Sequence, residues 1–298
     1  MAARPKTFRL AYLDFVSDDL QKECEFYTNV VGLIRTESGN ASEAFLTLGY
    51  DHHNISIRDG SPSGLSAIGY QLAAEVSLND VDRLLRDHGL RPTRKRDERP
   101  GVSDLLEVEA VPGHTVHFFS DMDAPAPGFS ERGIAPIRLG HVAVLTQQAG
   151  KLNTFYRELL GFYPTDTLGA AQFYTCNHDH HVLNIIDVPS AAPRVHHVAF
   201  ELRDYAAHAR ASDVLATHNY PVLWGPTRHT SGHNISSYFF DTQRKLLELY
   251  AQMDVYWPDL DMMEPRPWHL QSPMRPQVRA PGDDANWKTV FKFGLSQG

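Results

Sequence analysis

The sequence predicts an α+β fold made of two tandem modules, each built from paired βαβββ units. The first observation behind this prediction is a repeat: residues 8–15 match residues 137–144 at an offset of 129, and the same offset aligns Gly32 with Gly161. The second is a set of short alternating apolar runs, which are typical of half-buried strands. The third is the amphipathic segments that separate those runs and predict helices.

The predicted elements follow the same order in both copies. Each copy begins with a strand, at residues 8–15 and 137–145, and continues into a helix that ends at Gly32 or Gly161. A second helix is predicted at residues 79–88 and 205–217. The other strands are predicted, as pairs of first and second copy, at residues 44–58 and 172–187, 70–76 and 196–202, and 103–119 and 235–250.

The predicted boundary between the copies lies in residues 121–128, whose Pro and Gly indicate a linker. We therefore expect an N-terminal module at residues 1–128 and a C-terminal module at residues 129–255. Residues 256–298 contain many prolines and three tryptophans with weak periodicity. This segment is predicted to be an irregular C-terminal arm that packs over a surface.

Composition limits the classes of partner. The 28 basic residues against 36 acidic ones give a net charge of −8, which argues against a nucleic-acid partner. No apolar run approaches the roughly 20 residues that a membrane helix needs, so no membrane partner is expected. The two cysteines, Cys24 and Cys176, are too few for a disulfide framework and suit a reducing cytoplasm.

Three side chains that can bind a metal lie on three predicted strands of the second copy: His141, His197 and Glu248. Two imidazoles and one carboxylate form the facial triad that holds Fe(II) and leaves positions open for substrate and oxygen. Glu248 stands between two leucines, and an inward-pointing carboxylate without a cation would be costly. These three residues are therefore the predicted metal ligands.

Residues 225–250 carry Arg228-His229, Tyr238 and Glu248 at set intervals. This pattern resembles the signature of the type I extradiol ring-cleaving dioxygenases, the catechol 2,3-dioxygenase group of the vicinal oxygen chelate (glyoxalase) superfamily. The resemblance extends over both modules. It implies a vicinal oxygen chelate fold with a C-terminal barrel that holds Fe(II), less often Mn(II). It also implies a catechol and O2 as substrates and a homo-oligomer such as a dimer or tetramer.

The resemblance further implies that the N-terminal module has lost its metal site. In the first copy the counterparts of the three ligands are Tyr12, Gln71 and His117. That set lacks the carboxylate and one imidazole, so we predict that it binds no metal.

The resemblance assigns the acid/base role to His181, in the Asp-His-His triplet at residues 179–181. The same triplet recurs at residues 51–53, which leaves open a folding role for part of the motif. Tyr238 lies ten residues before Glu248, so it is expected on the same strand and the same face. Its phenol would donate a hydrogen bond to a substrate oxygen, and His229 would complete the catalytic group.

Other side chains are assigned to the pocket or the surface. The residues predicted to line the substrate pocket are Phe173, Trp224, His233 and Tyr250. His233 could instead lie in a solvated loop. His196 precedes a ligand on its strand and should face the other way. His178 and His180 are expected at the surface.

The substrate class follows from a missing cation. Relatives that cleave carboxylated catechols often carry an arginine shortly before the Arg-His pair, and this chain has Trp224 in that run. We therefore expect an uncharged or apolar-substituted catechol, opened next to its hydroxyls to a semialdehyde or keto acid, unless Arg275 or Arg279 of the arm supplies a cation. Two alternatives remain open: a glyoxalase-like metal-dependent isomerase or thiol transferase, and a binding protein for small aromatic compounds.

Overall fold

The computed structural model of the protein describes residues 4–124, 128–190 and 193–287, without the side chains of residues 37–39. The first large sheet consists of β1 (Thr7–Ser17), β2 (Ile34–Asn40), β3 (Glu43–Thr47), β4 (Ile55–Asp59), β5 (Gly64–Leu72), β6 (Thr93–Arg99), β7 (Val102–Val111) and β8 (His114–Phe119). The second consists of β9 (Arg138–Thr146), β10 (Tyr163–Leu168), β11 (Ala171–Thr175), β12 (Leu183–Asp187), β13 (Arg194–Glu201), β14 (Trp224–Arg228), β15 (Ile235–Phe240) and β16 (Leu246–Ala251). In the arm, β17 (Tyr256–Trp257) pairs with β18 (Met262–Met263), and β19 (Gln277–Arg279) joins the second sheet beside β10.

The two sheets have the same topology. The strand order is β2-β3-β4-β1-β5-β8-β7-β6 in the first and, read in the matching direction, β10-β11-β12-β9-β13-β16-β15-β14 in the second. Each sheet therefore contains two βαβββ units side by side, with the first strands of the two units antiparallel at its centre. The predicted α+β fold of two tandem modules is confirmed.

The helices lie where each unit crosses from its first strand to its second. Helix α1 (Leu20–Phe26) and helix α3 (Ala149–Asn153) both continue into a π-helical turn, at Tyr27–Val31 and Thr154–Leu159. Gly32 ends the first of these with φ at 98°, and a Cβ there would lie 2.1 Å from the carbonyl oxygen of Arg132. Only glycine fits such a position, which is why it marks the helix end.

The second crossing helices are α2 (Leu78–Asp87) and α4 (Tyr205–Thr217). Ser77 and Asp80 form a reciprocal capping box at the start of α2, and the Asp204 carboxylate caps α4 by accepting from the backbone N–H of Ala207. Such caps satisfy backbone donors that a helix start leaves without a partner. Both helices were predicted to within a residue of their observed limits.

The hydrophobic core continues from one module into the other. Tyr70 of the first module meets Tyr156 of the second edge-on, with ring centroids 5.9 Å apart. Phe118 and Phe155 make a second aromatic contact across the same boundary. The buried Lys245 ammonium forms ion pairs with Asp241 and, from the first module, Glu23. The first module therefore supports the second through packed aromatic rings and a buried ion pair.

Two predicted features differ from the structure or lie partly outside it. The strand predicted at residues 70–76 is β5, which runs from Gly64 to Leu72. The proposed linker at residues 121–128 includes residues 125–127, which lie outside the described part of the chain. No helix among the described residues is long and apolar enough to cross a membrane.

Candidate metal centre and active site

The three predicted ligands meet at one point in the second sheet. His141 Nε2 lies 3.2 Å from His197 Nε2 and 3.1 Å from Glu248 Oε2, and His197 Nε2 lies 3.2 Å from the same carboxylate oxygen. All three residues are buried. Within the described residues, two groups of three ligand-type side chains could hold a metal ion, and this is one of them.

Strand register explains why these side chains converge. Ala199 on β13 is paired with His141 on β9 at one side and with Glu248 on β16 at the other. Residues paired across adjacent strands project to the same face, so the imidazole and the carboxylate flank the small Ala199 side chain. His197 lies two residues before Ala199 and completes the cluster from the central strand.

The two oxygens of the Glu248 carboxylate have different partners. Its Oε1 atom accepts hydrogen bonds from Ser236 Oγ at 2.5 Å and Asn234 Nδ2 at 2.9 Å, while Oε2 faces the two imidazoles. Burial raises the pKa of Glu248, but the charges and hydrogen bonds of His141 and His197 outweigh it, so the pKa lies well below its ordinary value. Glu248 is therefore an ionised carboxylate with one oxygen held by the protein and the other available to a cation.

The donor set fits a divalent metal ion. Bonds from such an ion to imidazole nitrogen and carboxylate oxygen are about 2.0–2.2 Å long, so two ligands at right angles lie about 3 Å apart. The three separations in this cluster, 3.1 to 3.2 Å, have that size. Burial lowers the pKa of His141, although Glu248 opposes the shift, and a lower pKa favours the neutral imidazole that binds metals.

The second group of ligand-type side chains is a hydrogen-bonded cluster. His233 Nδ1 lies 2.7 Å from Asp254 Oδ2, while His269 Nε2 lies 2.9 Å from Oδ1, to which Trp268 Nε1 also donates. The two imidazoles thus meet different oxygens of one carboxylate, at hydrogen-bond distances. This cluster ties the arm to the loop that follows β14.

His181 lies against the candidate metal ligands. Its ring centroid is 4.2 Å from that of His141, and its Nδ1 is 3.0 Å from His180 Nδ1. Burial lowers the pKa of His181 well below its ordinary value, and the neighbouring His141 and His180 add to the shift. The contact with His180 leaves Nε2 of His181 as the ring nitrogen that can meet a substrate.

The prediction that His178 and His180 lie at the surface holds for one of them. His178 is exposed, whereas His180 is 1% exposed. His180 is buried because it packs between His181 and Gly232 and lies 3.3 Å from the carboxylate of Asp166. The error arose because a polar run with no apolar period carries no burial signal.

The repeated Asp-His-His triplet is partly structural. In the second copy, the Asp179 carboxylate accepts two hydrogen bonds, at 2.6 and 2.7 Å, from Arg138 on the first strand of the module. Asp51 accepts the same pair from Arg9, both at 2.7 Å, in the first copy. The aspartate therefore anchors its loop to the first strand in both modules, and the adjacent histidines lie on top of that anchor.

Tyr238 and His229 line the cavity beside the three candidate ligands. Tyr238 Oη lies 3.3 Å from His229 Nε2. Both rings stack on Trp224, His229 at an interplanar angle of 18° and Tyr238 at 23°. Tyr238 lies on β15 and Glu248 on β16, so the prediction of a single strand is wrong. The two residues share a face because they are directly paired across antiparallel strands.

His196 was predicted to face away from the site, and this prediction is wrong. Its half-buried side chain lines the same cavity as the three predicted ligands, and its Nδ1 lies 2.7 Å from His197 Nδ1. The pairing of β13 with β9 is irregular between Val195 and His197, as in a β-bulge. A bulge breaks the alternation of faces along a strand, which is why two consecutive histidines reach one cavity.

The cavity in front of the candidate metal site has a volume of about 200 Å³. Phe173 and Trp224 line it, as predicted, whereas His233 and Tyr250 are absent from its lining. Tyr250 packs behind His141, with ring centroids 5.3 Å apart, and a Cβ on Gly140 would lie 2.2 Å from its hydroxyl. The lining residues are His141, Leu168, Ala171, Phe173, His181, Asn184, Ile186, His196, His197, Trp224, His229, Ser231, Tyr238, Glu248 and Asp284.

Residues that the sequence analysis did not identify also shape the site. Ser236 and Asn234 hold Glu248, and Ser236 could have been found because it lies two residues before Tyr238 on the same strand face. Asp284 comes from the arm, where no periodic pattern pointed to it.

The corresponding place in the first module has a different set of residues. Tyr12 and His117 are the counterparts of His141 and Glu248, as predicted, since both are paired with Gly69 on β5. Gln71 is paired with Arg9 just as Glu201 is paired with Arg138, so it matches Glu201 and not His197. The counterpart of His197 is Ala67, so the prediction that Gln71 is its counterpart is wrong.

Known proteins share this fold and domain. Residues 138–249 match the model of the Glyoxalase/Bleomycin resistance protein/Dioxygenase superfamily. A metapyrocatechase from Pseudomonas sp. (strain CF600) is 23% identical over 261 residues, which cover 81% of this chain and 85% of that protein.

Two solved structures extend the comparison to the whole fold. The 2,3-dioxygenase LapB from Pseudomonas sp. KL28 superposes with a TM-score of 0.81 at 22% identity, over 93% of this chain and 99% of that one. The Mn(II)-bound glyoxalase from Novosphingobium aromaticivorans superposes with a TM-score of 0.80 at 23% identity, over 95% of this chain and 91% of that one. The second module therefore contains a domain of the glyoxalase/bleomycin resistance protein/dioxygenase superfamily, and the whole chain shares the fold of these two structures.

Proposed function

We propose that the protein is an Fe(II)-dependent extradiol dioxygenase that uses O2 to cleave a catechol next to its hydroxyls, giving a semialdehyde or keto acid. The observation that carries this proposal is the convergence of His141 Nε2, His197 Nε2 and Glu248 Oε2 within 3.2 Å at the floor of the cavity. A metapyrocatechase and a 2,3-dioxygenase are among the similar proteins. Mn(II) is the other ion that we consider for the site, because a structural neighbour contains it.

A divalent ion on these three ligands would supply open coordination positions, acidify a phenol and take part in electron transfer to O2. The side chains of this protein would do the rest. His181, whose Nε2 has no hydrogen-bond partner within the described residues, would accept the proton of the second catechol hydroxyl and later return a proton to the product.

Tyr238 would hold the substrate by donating a hydrogen bond to one of its oxygens. Burial raises the pKa of Tyr238 well above its ordinary value, and the charge of Glu248 raises it further, so the phenol keeps its proton. Trp224 and His229 stack against the Tyr238 ring and fix its orientation. This wall positions the donor without rearrangement when a substrate enters.

The cavity suits a small uncharged ring. Leu168, Phe173 and Ile186 give it apolar walls, and within the described residues no lysine or arginine lines it. The arginines considered earlier are engaged elsewhere: Arg279 lies 3.4 Å from the Asp166 carboxylate, and Arg275 donates to the carbonyl groups of Leu260 and Asp261. These contacts support an uncharged or apolar-substituted catechol as the substrate class.

The test is to load the apo protein with Fe(II) or Mn(II) under anaerobic conditions and then add catechol and air-saturated buffer. We expect O2 uptake and a yellow ring-opened product, both lost in Glu248→Ala. Isomerisation of an α-keto hemithioacetal without O2 would support the glyoxalase-like alternative. Tight catechol binding without turnover with either ion would support a binding protein, and either result would refute the dioxygenase proposal.

We also propose a cytoplasmic homo-oligomer, either a dimer or a tetramer. Cys24 and Cys176 are buried free thiols, which suits a reducing compartment. Phe129 and Val278 are large apolar side chains with exposures of 68% and 87%, and such surfaces often lie in subunit contacts. Light scattering after size exclusion would give the mass, and a monomer at micromolar concentration would refute this part of the proposal.

A further inference from the structure

The C-terminal arm delivers one side chain to the cavity. After β19, the backbone of residues 283–286 runs beside residues 228–230, where Asn286 N donates to Arg228 O at 2.7 Å and Thr230 N donates to Asp284 O at 3.4 Å. The hydroxyl of Thr230 also donates to the carbonyl of Asp283, and Asn286 Nδ2 donates to His229 O at 3.3 Å. Asp284 is thus held at the cavity by backbone contacts on both sides.

Asp284 is a solvent-exposed carboxylate in the cavity lining. The cavity lining contains two carboxylates, Glu248 and Asp284, and no lysine or arginine within the described residues. Glu248 is 1% exposed, whereas Asp284 lines the same cavity and is exposed to solvent. None of the described residues forms a salt bridge with Asp284, so its charge is left to act on the cavity.

The charge of Asp284 acts on two residues of the cavity wall, His229 and Tyr238. Its charge opposes the burial effect that lowers the pKa of His229, and it adds to the effects that raise the pKa of Tyr238. A substituent on a catechol bound between these residues and the metal ligands would be subject to the same negative charge.

We infer that Asp284 determines substrate charge, so that the site selects catechols with a cationic or neutral substituent over catechols with a carboxylate. This inference rests on the proposed dioxygenase function and extends its substrate class from uncharged catechols to catechols with a cationic substituent. At an exposed carboxylate the effect is screened by water and salt, so we expect a preference of about 3- to 10-fold in kcat/KM at low ionic strength. High salt should reduce it.

Three catechols that differ mainly in substituent charge provide the test: 2-(3,4-dihydroxyphenyl)ethylamine, 4-ethylcatechol and 3,4-dihydroxyphenylacetate. The Fe(II)-loaded protein is expected to cleave the amine faster than the carboxylate, with the neutral compound between them or equal to the amine. Asp284→Asn should remove most of this difference, and Asp284→Lys should reverse it. Asp283→Asn is the matched control, because Asp283 is the adjacent exposed acid and does not line the cavity.

Failure of this inference is distinguishable from failure of the proposed function. If unsubstituted catechol is not cleaved by the loaded protein, the dioxygenase proposal itself fails. If catechol is cleaved but the amine-to-carboxylate ratio is the same in the unaltered protein and Asp284→Asn, or changes equally in Asp283→Asn, Asp284 does not determine specificity.

Discussion

Removal of the Ser236 hydroxyl, which lies beside the candidate ligand Glu248, tests whether this site binds a metal ion. Ser236 Oγ and Asn234 Nδ2 both donate to Glu248 Oε1, so Ser236→Ala removes one of two hydrogen bonds that hold this ligand. Loss of an outer hydrogen bond to a ligand typically costs about 10- to 100-fold in metal affinity. Because Asn234 remains, we expect the lower end, about 10-fold, which corresponds to about 1.4 kcal/mol.

The adjacent residue supplies the control for Ser236→Ala. Ser237 is also buried and lies on the same strand. Its hydroxyl is 3.3 Å from His208 Nδ1, which is not one of the candidate ligands. Ser237→Ala should therefore lower the melting temperature by a similar amount and leave metal affinity unchanged. Affinity is measured by anaerobic titration of the apo protein with Fe(II) or Mn(II) against a chromophoric chelator. Equal affinity in Ser236→Ala and the unaltered protein, or an equal loss in both variants, would refute the role of Ser236 in holding Glu248 for a metal.

Three further predictions concern other parts of the molecule. His181→Ala should bind metal normally and lose about 10²- to 10⁴-fold in kcat, as measured by metal content and O2 uptake; loss of the metal would contradict its acid/base role. Arg99→Met should destabilise the protein by about 3–5 kcal/mol in denaturant unfolding, because it leaves the Asp14 carboxylate buried without its partner, while metal affinity should be unchanged. Burial lowers the pKa of His114 to about 4, so the unfolded chain binds more protons below pH 6.5 and stability falls as the pH drops from 6.5 to 4, by about 3 kcal/mol. His114→Gln, which can keep the hydrogen bond to the Tyr156 hydroxyl, should flatten this pH dependence; an unchanged slope would assign it to other groups.

The three candidate ligands were predictable because each interrupts an apolar run on one of the central strands of the sheet. His141 and Glu248 are both paired with Ala199, and His197 is separated from Ala199 by one residue. In such strands the polar side chain that interrupts an apolar face is visible in the sequence. The topology was predictable from the repeat, because both copies contain the same elements in the same order.

Several errors fall where the backbone departs from regularity or where distant segments meet. The irregular pairing beside His197 turns His196 into the cavity, and nothing in the residue types around it signals that change. Tyr238 and Glu248 lie on two strands joined by the turn that follows Asp241. They share a face because they are paired across these strands, whereas the prediction relied on an even interval within one strand. Asp284 reaches the cavity through contacts with residues 228–230, more than fifty positions earlier, which no local pattern reveals.

The two modules differ most in what lies at their centres. In the first module the Arg99 guanidinium contacts the Asp14 carboxylate at 2.5 and 2.8 Å, lies 2.7 Å from His53 Nε2 and stacks 4.1 Å from the ring centre of Tyr12. His53 is the counterpart of His181 and Tyr12 that of His141, so a protein cation lies among the residues that correspond to those around the candidate metal site. A divalent ion there would meet a fixed positive charge whose carboxylate partner is already satisfied. The prediction that the first module binds no metal thus depends on a filled centre as well as on missing ligands.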